Sequence, residues 1–133
     1  MSDVNYPGTA ELARNTLPRF GIEVTMVDSG QTEQVAEALR PNTRLVWIET
    51  PANPILRLTD IQATAELAHS VDAELAVDST FASPIATRPI SLGADYVVHS
   101  LTKYIGGHGD AMGGAVISKK SGLQKIDLEG QVH

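Results

Sequence analysis

Five short apolar runs, each rich in β-branched residues and each followed by a turn or a helical pattern, limit what this chain can fold into. They are residues 23–28 (EVTMVD), 44–50 (RLVWIET), 74–78 (ELAVD), 95–99 (DYVVH) and 114–118 (GAVIS). Several are apolar at consecutive positions, so neither face of such a strand tolerates water, and the sheet they form needs helices on both faces. Helical patterns lie between them: residues 11–20, ending at Gly21; residues 33–40, stopped by Pro41; and residues 60–70. The third opens Thr59-Asp60-Ile61-Gln62, a capping-box pattern in which the Thr59 hydroxyl and the Gln62 side chain satisfy helix-start donors reciprocally. Ile61, Ala65 and Ala68 then share one face, the stripe expected to pack on a sheet. Pro18 is expected to bend or shorten the first helix. Strands alternating with helices predict an α/β fold with a mostly parallel sheet.

Several functions are excluded or disfavoured by composition. The 133 residues are 42% hydrophobic, a normal value for a globular chain with one modest core. A net charge of −6 and a pI near 5.0 leave no basic stripe to displace phosphate counterions, so no nucleic-acid partner is expected. The absence of cysteine removes disulfides, thiolate nucleophiles and zinc-finger spacings. No apolar run is long enough to span a membrane and the first residues do not resemble a signal peptide, so the expected location is the cytoplasm, away from any membrane. His69, His99, His108 and His133 show no metal-ligand spacing, and no metal is expected. Gly107, Gly109 and Gly113 read GxGxxxG ahead of a strand, a near miss for a dinucleotide fingerprint, which must open a helix; no P-loop and no GxSxG elbow is present. Lys119, Lys120 and Lys125 read as surface charge, Trp47 as core, His69 as exposed, and His99 as packed beneath a ligand loop.

In an open parallel sheet, ligands gather at the carboxyl ends of the strands. There this sequence carries Asn53 in ETPANP, Asp78 in LAVDST, and Ser100, Thr102 and Lys103 in VVHSLTKY. A lone aspartate at a strand end is usually a turn residue and a lone lysine a solvated charge. Together they match the needs of pyridoxal 5′-phosphate (PLP): an amine for the cofactor aldehyde, an acid that keeps the pyridine nitrogen protonated, and donors for the phosphate. Asn53, Asp78 and Lys103 are also evenly spaced along the chain.

From Tyr6 to about Ser118 the sequence resembles the Cys/Met-metabolism PLP enzymes, the family of cystathionine γ-synthase, cystathionine γ-lyase and methionine γ-lyase. The resemblance rests on Tyr6-Pro7-Gly8-Thr9, Glu49-Thr50-Pro51-Ala52-Asn53-Pro54, Asp78-Ser79-Thr80, Ser100-Leu101-Thr102-Lys103-Tyr104 and Gly107-His108-Gly109-Asp110, in that order. It implies the central part of a fold-type I transferase large domain. Residues 1–133 would then be a partial PLP-binding domain, with the family's N-terminal segment and C-terminal domain absent.

The resemblance also implies roles. Lys103 would hold PLP as a Schiff base and later move protons on the substrate. Asp78 would pair with the pyridinium nitrogen, Ser100 and Thr102 would bind the phosphate, and Asn53 would approach the 3-hydroxyl. Tyr6 would stack on the ring and act near the leaving group, with Thr80 a ring-face or supporting contact. The implied activity is C–S lysis or γ-replacement on a small sulfur or homoserine-derived amino acid, in a homo-oligomer when full-length. Gly8 stands where many methionine γ-lyases have cysteine, which weighs against that activity; Pro7 and Ser79 replace a common Gly and Asn. Gly107-His108-Gly109-Asp110 resembles γ-acting members more than cystathionine β-lyases. The competing expectation is a non-catalytic truncated fragment that binds PLP or other subunits without turnover, and a nucleotide-binding α/β module is the third.

Overall fold

A computed structural model describes residues 1–119, 122–124 and 126; Lys120, Lys125 and His133 lie outside the described residues. Its centre is a four-stranded sheet in the order β1 (Leu45–Glu49), β2 (Glu74–Asp78), β3 (Tyr96–Ser100), β4 (Gly114–Ser118). The first three strands run parallel and β4 returns antiparallel on β3, so the mostly parallel expectation holds. The ranges of β2 and β4 match the sequence reading to the residue, whereas β1 is one residue shorter at each end and β3 is shifted by one.

The run 23–28 is a correction. It forms no strand; only Val27 pairs, through a single parallel bridge to Ser2. The Val27 N–H donates to the Met1 carbonyl and the Asp3 N–H to the Val27 carbonyl, while the Ser2 N–H reaches the Trp47 carbonyl on β1. Residues 1–3 thus lie between β1 and Val27, and so short a partner supports one rung rather than a ladder.

Helix α1 spans Pro7–Glu11 and continues through a wide π turn at Leu12–Thr16 into a 3-10 turn at Leu17–Phe20, closed by Gly21 in the left-handed region. The helical course therefore starts four residues before the expected Glu11. Pro18, which has no N–H to give, sits in the tightened last turn as anticipated. Helix α2 (Thr32–Ala38) stops two residues short of Arg40, because Leu39 has already turned extended ahead of Pro41.

Helix α3 (Ile61–His69) buries Ile61, Ala65 and Ala68 as the periodicity predicts. These pack with Val35 of α2 against Val46, Ile48, Leu75 and Val77, the side chains on one face of β1 and β2. The capping box is overturned: Asp60 is the N-cap, accepting from the Ala63 N–H at 3.0 Å. The Thr59 hydroxyl is taken instead by Ser29 at 2.9 Å, and Gln62 bonds Glu66 one turn on. The opposite face of the sheet receives the start of α1, since Tyr6 donates its N–H to the Glu49 side chain. The short helix α4 (Ser83–Ala86) follows β2.

Candidate functional site

The register of the sheet brings the expected residues to one edge. Glu49 pairs with Asp78, and Asp78 with Val98, two positions before Ser100. The carboxyl ends of β1, β2 and β3 therefore lie side by side, and the antiparallel start of β4 joins them because Gly114 pairs with Ser100. The two-residue pleat puts Glu49, Asp78 and Ser100 on the face opposite α3.

Asp78 is half-buried, and one carboxylate oxygen accepts the Thr80 N–H at 3.0 Å. Among the described residues its other oxygen has no hydrogen-bond partner. The Thr80 hydroxyl accepts the Ser100 N–H at 2.8 Å, which ties the loop after β2 to the end of β3. Thr80 is thus a brace between two site-bearing segments. No described group engages the Ser100 hydroxyl, whereas Thr102 Oγ1 accepts the Gly113 N–H at 3.1 Å and faces the Gly113 carbonyl at 3.3 Å.

Lys103 is exposed, within a π turn at Leu101–Ile105 whose course breaks at Lys103 itself, with φ −95° and ψ −122°. The Leu101 N–H on the Gly113 carbonyl (2.9 Å) and the Gly107 N–H on the Lys103 carbonyl (2.8 Å) hold this turn. Tyr104 then meets Phe81 edge to face with ring centroids 5.5 Å apart, a second tie between the Lys103 turn and the loop after β2.

Asn53 is exposed in a segment with cis bonds at Thr50–Pro51 and Asn53–Pro54. Tyr6 is 56% exposed. A Cβ at Gly8 would stand 2.9 Å from Tyr6 Cε1, so a side chain there requires the Tyr6 ring to shift.

Glu49 was assigned no role from sequence, yet it organises this edge. It is 7% exposed, and its two oxygens accept the N–H groups of Tyr6 (2.6 Å) and Asn53 (3.0 Å). Burial pushes its carboxyl above the ordinary value; the Asn53 and Tyr6 N–H groups pull it back, and the neighbouring Asp78 charge adds to the rise. The signal was present in the sequence, because Glu49 closes the apolar run LVWIE as Asp78 closes ELAVD. His69 is exposed and paired with Asp95 as expected. His99 is buried, its Nδ1 unpartnered among the described residues, but the pleat turns it to the face opposite Ser100, beside Arg88 and Pro89, rather than beneath the Lys103 turn.

The family model described as "Cys/Met metabolism PLP-dependent enzyme" matches residues 1–131. The chain belongs to this family. It is 46% identical over 126 residues to the L-methionine gamma-lyase of Porphyromonas gingivalis, covering 94% of this chain and 32% of that protein. It is 50% identical over 127 residues to the canavanine gamma-lyase of Pseudomonas canavaninivorans, covering 95% of this chain and 32% of the relative. The structure of cystathionine gamma-lyase from Lactobacillus plantarum complexed with L-serine superposes with a TM-score of 0.89 at 41% identity, covering 93% of this chain and 32% of that one. The chain thus spans about a third of the length of the curated relatives it matches. The family is PLP-dependent, and the donor set fits its cofactor: an exposed lysine, a carboxylate with one oxygen uncommitted among the described residues and a hydroxyl that no described group engages lie at the carboxyl ends of adjacent strands.

Proposed function

We propose that this chain carries the cofactor-binding strand ends of a PLP-dependent enzyme acting on small sulfur or homoserine-derived amino acids by C–S lysis or γ-replacement. The observation that carries the reading is the arrival of Asn53, Asp78 and the Ser100–Lys103 segment at the carboxyl ends of three adjacent parallel strands. The gamma-lyase names of the relatives favour elimination. On this reading residues 1–133 form part of a PLP-binding domain whose full-length form is a cytoplasmic homo-oligomer.

When bound, PLP supplies an electron sink for the carbanion at the amino acid's Cα. The Asp78 carboxylate would keep the ring nitrogen protonated through its uncommitted oxygen, since an adjacent negative charge favours the protonated ring. Ser100 Oγ would donate to the phosphate, and Thr102 Oγ1 would do so by rotating its proton away from the weakly held Gly113 carbonyl. Lys103 would hold the cofactor through its amine and would take up the proton removed at Cα. Asn53 would donate to the 3-hydroxyl oxygen, and the Tyr6 phenol would cover the ring and serve the γ leaving group.

The test is an absorbance titration of the purified chain with PLP, beside Lys103→Ala and a Lys119→Ala control. A visible band in the parent and in Lys119→Ala, absent from Lys103→Ala, is the expected result; a folded parent with no specific band defeats the reading. The competing reading, a chain that binds PLP or other subunits without turnover, draws support from Ile85 and Met112, which are 93% and 92% exposed. A chain that binds PLP without turnover gives the same band with no response to cystathionine, methionine or homoserine esters, and one that only joins other subunits gives no band.

A further inference from the structure

We infer that Glu49 is a positioning residue of the cofactor site, whose carboxylate holds the Tyr6 and Asn53 backbones and thereby sets where their side chains stand beside Asp78. The inference rests on the cofactor reading above. Tyr6 and Asn53 arrive from segments far apart in sequence, and both end on one side chain, at 2.6 Å and 3.0 Å. That side chain is 7% exposed at the last position of β1, opposite Asp78 in the register. A carboxylate accepts with both oxygens and donates with neither when ionised, so it satisfies the two N–H groups at once. Glutamine has a single acceptor oxygen at its head and must turn its NH2 toward one of the two donors. Replacing Glu49 with glutamine therefore frees one segment while leaving size and packing nearly unchanged.

The role differs from that of an ordinary buried acid in what it touches. Neither bond closes a helix or a rung of the sheet; each fixes a residue to which the cofactor reading gives a direct contact. From β2 the facing charged group is Asp78, and from the other two segments the facing groups are the Tyr6 and Asn53 N–H groups.

The experiment combines two readouts on the full chain. In PLP-free protein, the amide proton shifts of Tyr6 and Asn53 are followed by NMR as a function of pH. Both are expected to move together with one midpoint above the ordinary glutamate value, and that movement is expected to vanish in Glu49→Gln. PLP affinity is then measured by absorbance in the parent, in Glu49→Gln and in Ala68→Gly. The last variant weakens the buried helix face near the other end of the sheet, where the Ala68 carbonyl accepts the Ala73 N–H just before β2. Glu49→Gln is expected to bind about tenfold more weakly, the loss of one charge-assisted hydrogen bond. Borohydride reduction should still leave PLP on the Lys103 peptide. Ala68→Gly should bind as the parent does.

The inference is overturned if the amide movement survives in Glu49→Gln, if that variant binds PLP as tightly as the parent, or if Ala68→Gly loses as much affinity. A parent chain that takes up no PLP at Lys103 fails the cofactor reading and the inference with it. The parent titration tells that failure apart from a failure of Glu49 alone.

Discussion

The middles and the carboxyl ends of the central strands are built on opposite terms. In their middles, Ile48, Leu75 and Val77 are fully buried against Ala65 and Ala68 of α3, with apolar surface on every side. Immediately after Ile48 and Val77 these strands end in Glu49 and Asp78, beside the Ser100–Lys103 turn that follows β3, where charges face one another, the Ser100 hydroxyl is free among the described residues and the backbone breaks course at Lys103. Burial of apolar area stabilises the first region at roughly 25 cal/mol per Å². The second gains little of that and keeps polar atoms uncommitted, which is the condition for holding a ligand. Stability and binding are thus separated along each strand rather than between separate parts of the molecule.

The sharpest way to break this comparison is to truncate one residue in each region. Leu75→Ala is expected to lower the unfolding free energy by about 3 kcal/mol, because the side chain is wholly enclosed and its neighbours close the gap only in part. Lys103→Ala, at an exposed position, is expected to change it by less than about 0.5 kcal/mol. Urea unfolding measures both. A site variant that destabilises as much as the core variant would mean the strand ends also carry the fold.

A smaller contrast lies at the amino ends of the strands. Asp95 accepts both His69 Nε2 and the Leu75 N–H at 2.8 Å. His69→Ala removes one exposed partner and should cost a few tenths of a kcal/mol, approximately 0.3. Asp95→Ala also strips the Leu75 N–H of its acceptor and should cost about 1–2 kcal/mol. Equal losses would show that the His69 contact, rather than the strand-closing bond, is what Asp95 contributes.

What could be read from sequence divides along the same physical line. Elements specified by their own pattern, such as β2, β4 and the buried stripe of α3, emerged in place. Features that depend on a distant partner did not. The run 23–28 has strand chemistry but finds only residues 1–3 to pair with. Thr59 is a good cap by local rules, yet Ser29, thirty positions away, takes its hydroxyl and leaves the cap to Asp60. Glu49 stands beside an expected site residue, but its role depends on Tyr6 folding back across 43 positions to reach it. The expected site residues other than Tyr6 could be picked out because each ends or follows a strand, and the order of strands sets their neighbours.

Glu49 supplies the last test, read as a sign rather than a size. Its folded-state carboxyl lies above the ordinary value of 4.5, with burial as the largest cause, so the folded chain holds that proton more tightly than the unfolded chain does. The resulting stability is present in full below the unfolded value and is lost as pH rises through the folded one. The parent should therefore lose stability relative to Glu49→Gln as pH is raised from about 4.5 toward neutrality, where the carboxylate takes on the cost of burying a charge while the amide's cost does not change with pH. Urea unfolding of both proteins across that range gives the difference directly. A difference that runs the other way would mean that the Tyr6 and Asn53 N–H groups outweigh burial, and that this strand end is as well satisfied as the core beneath it.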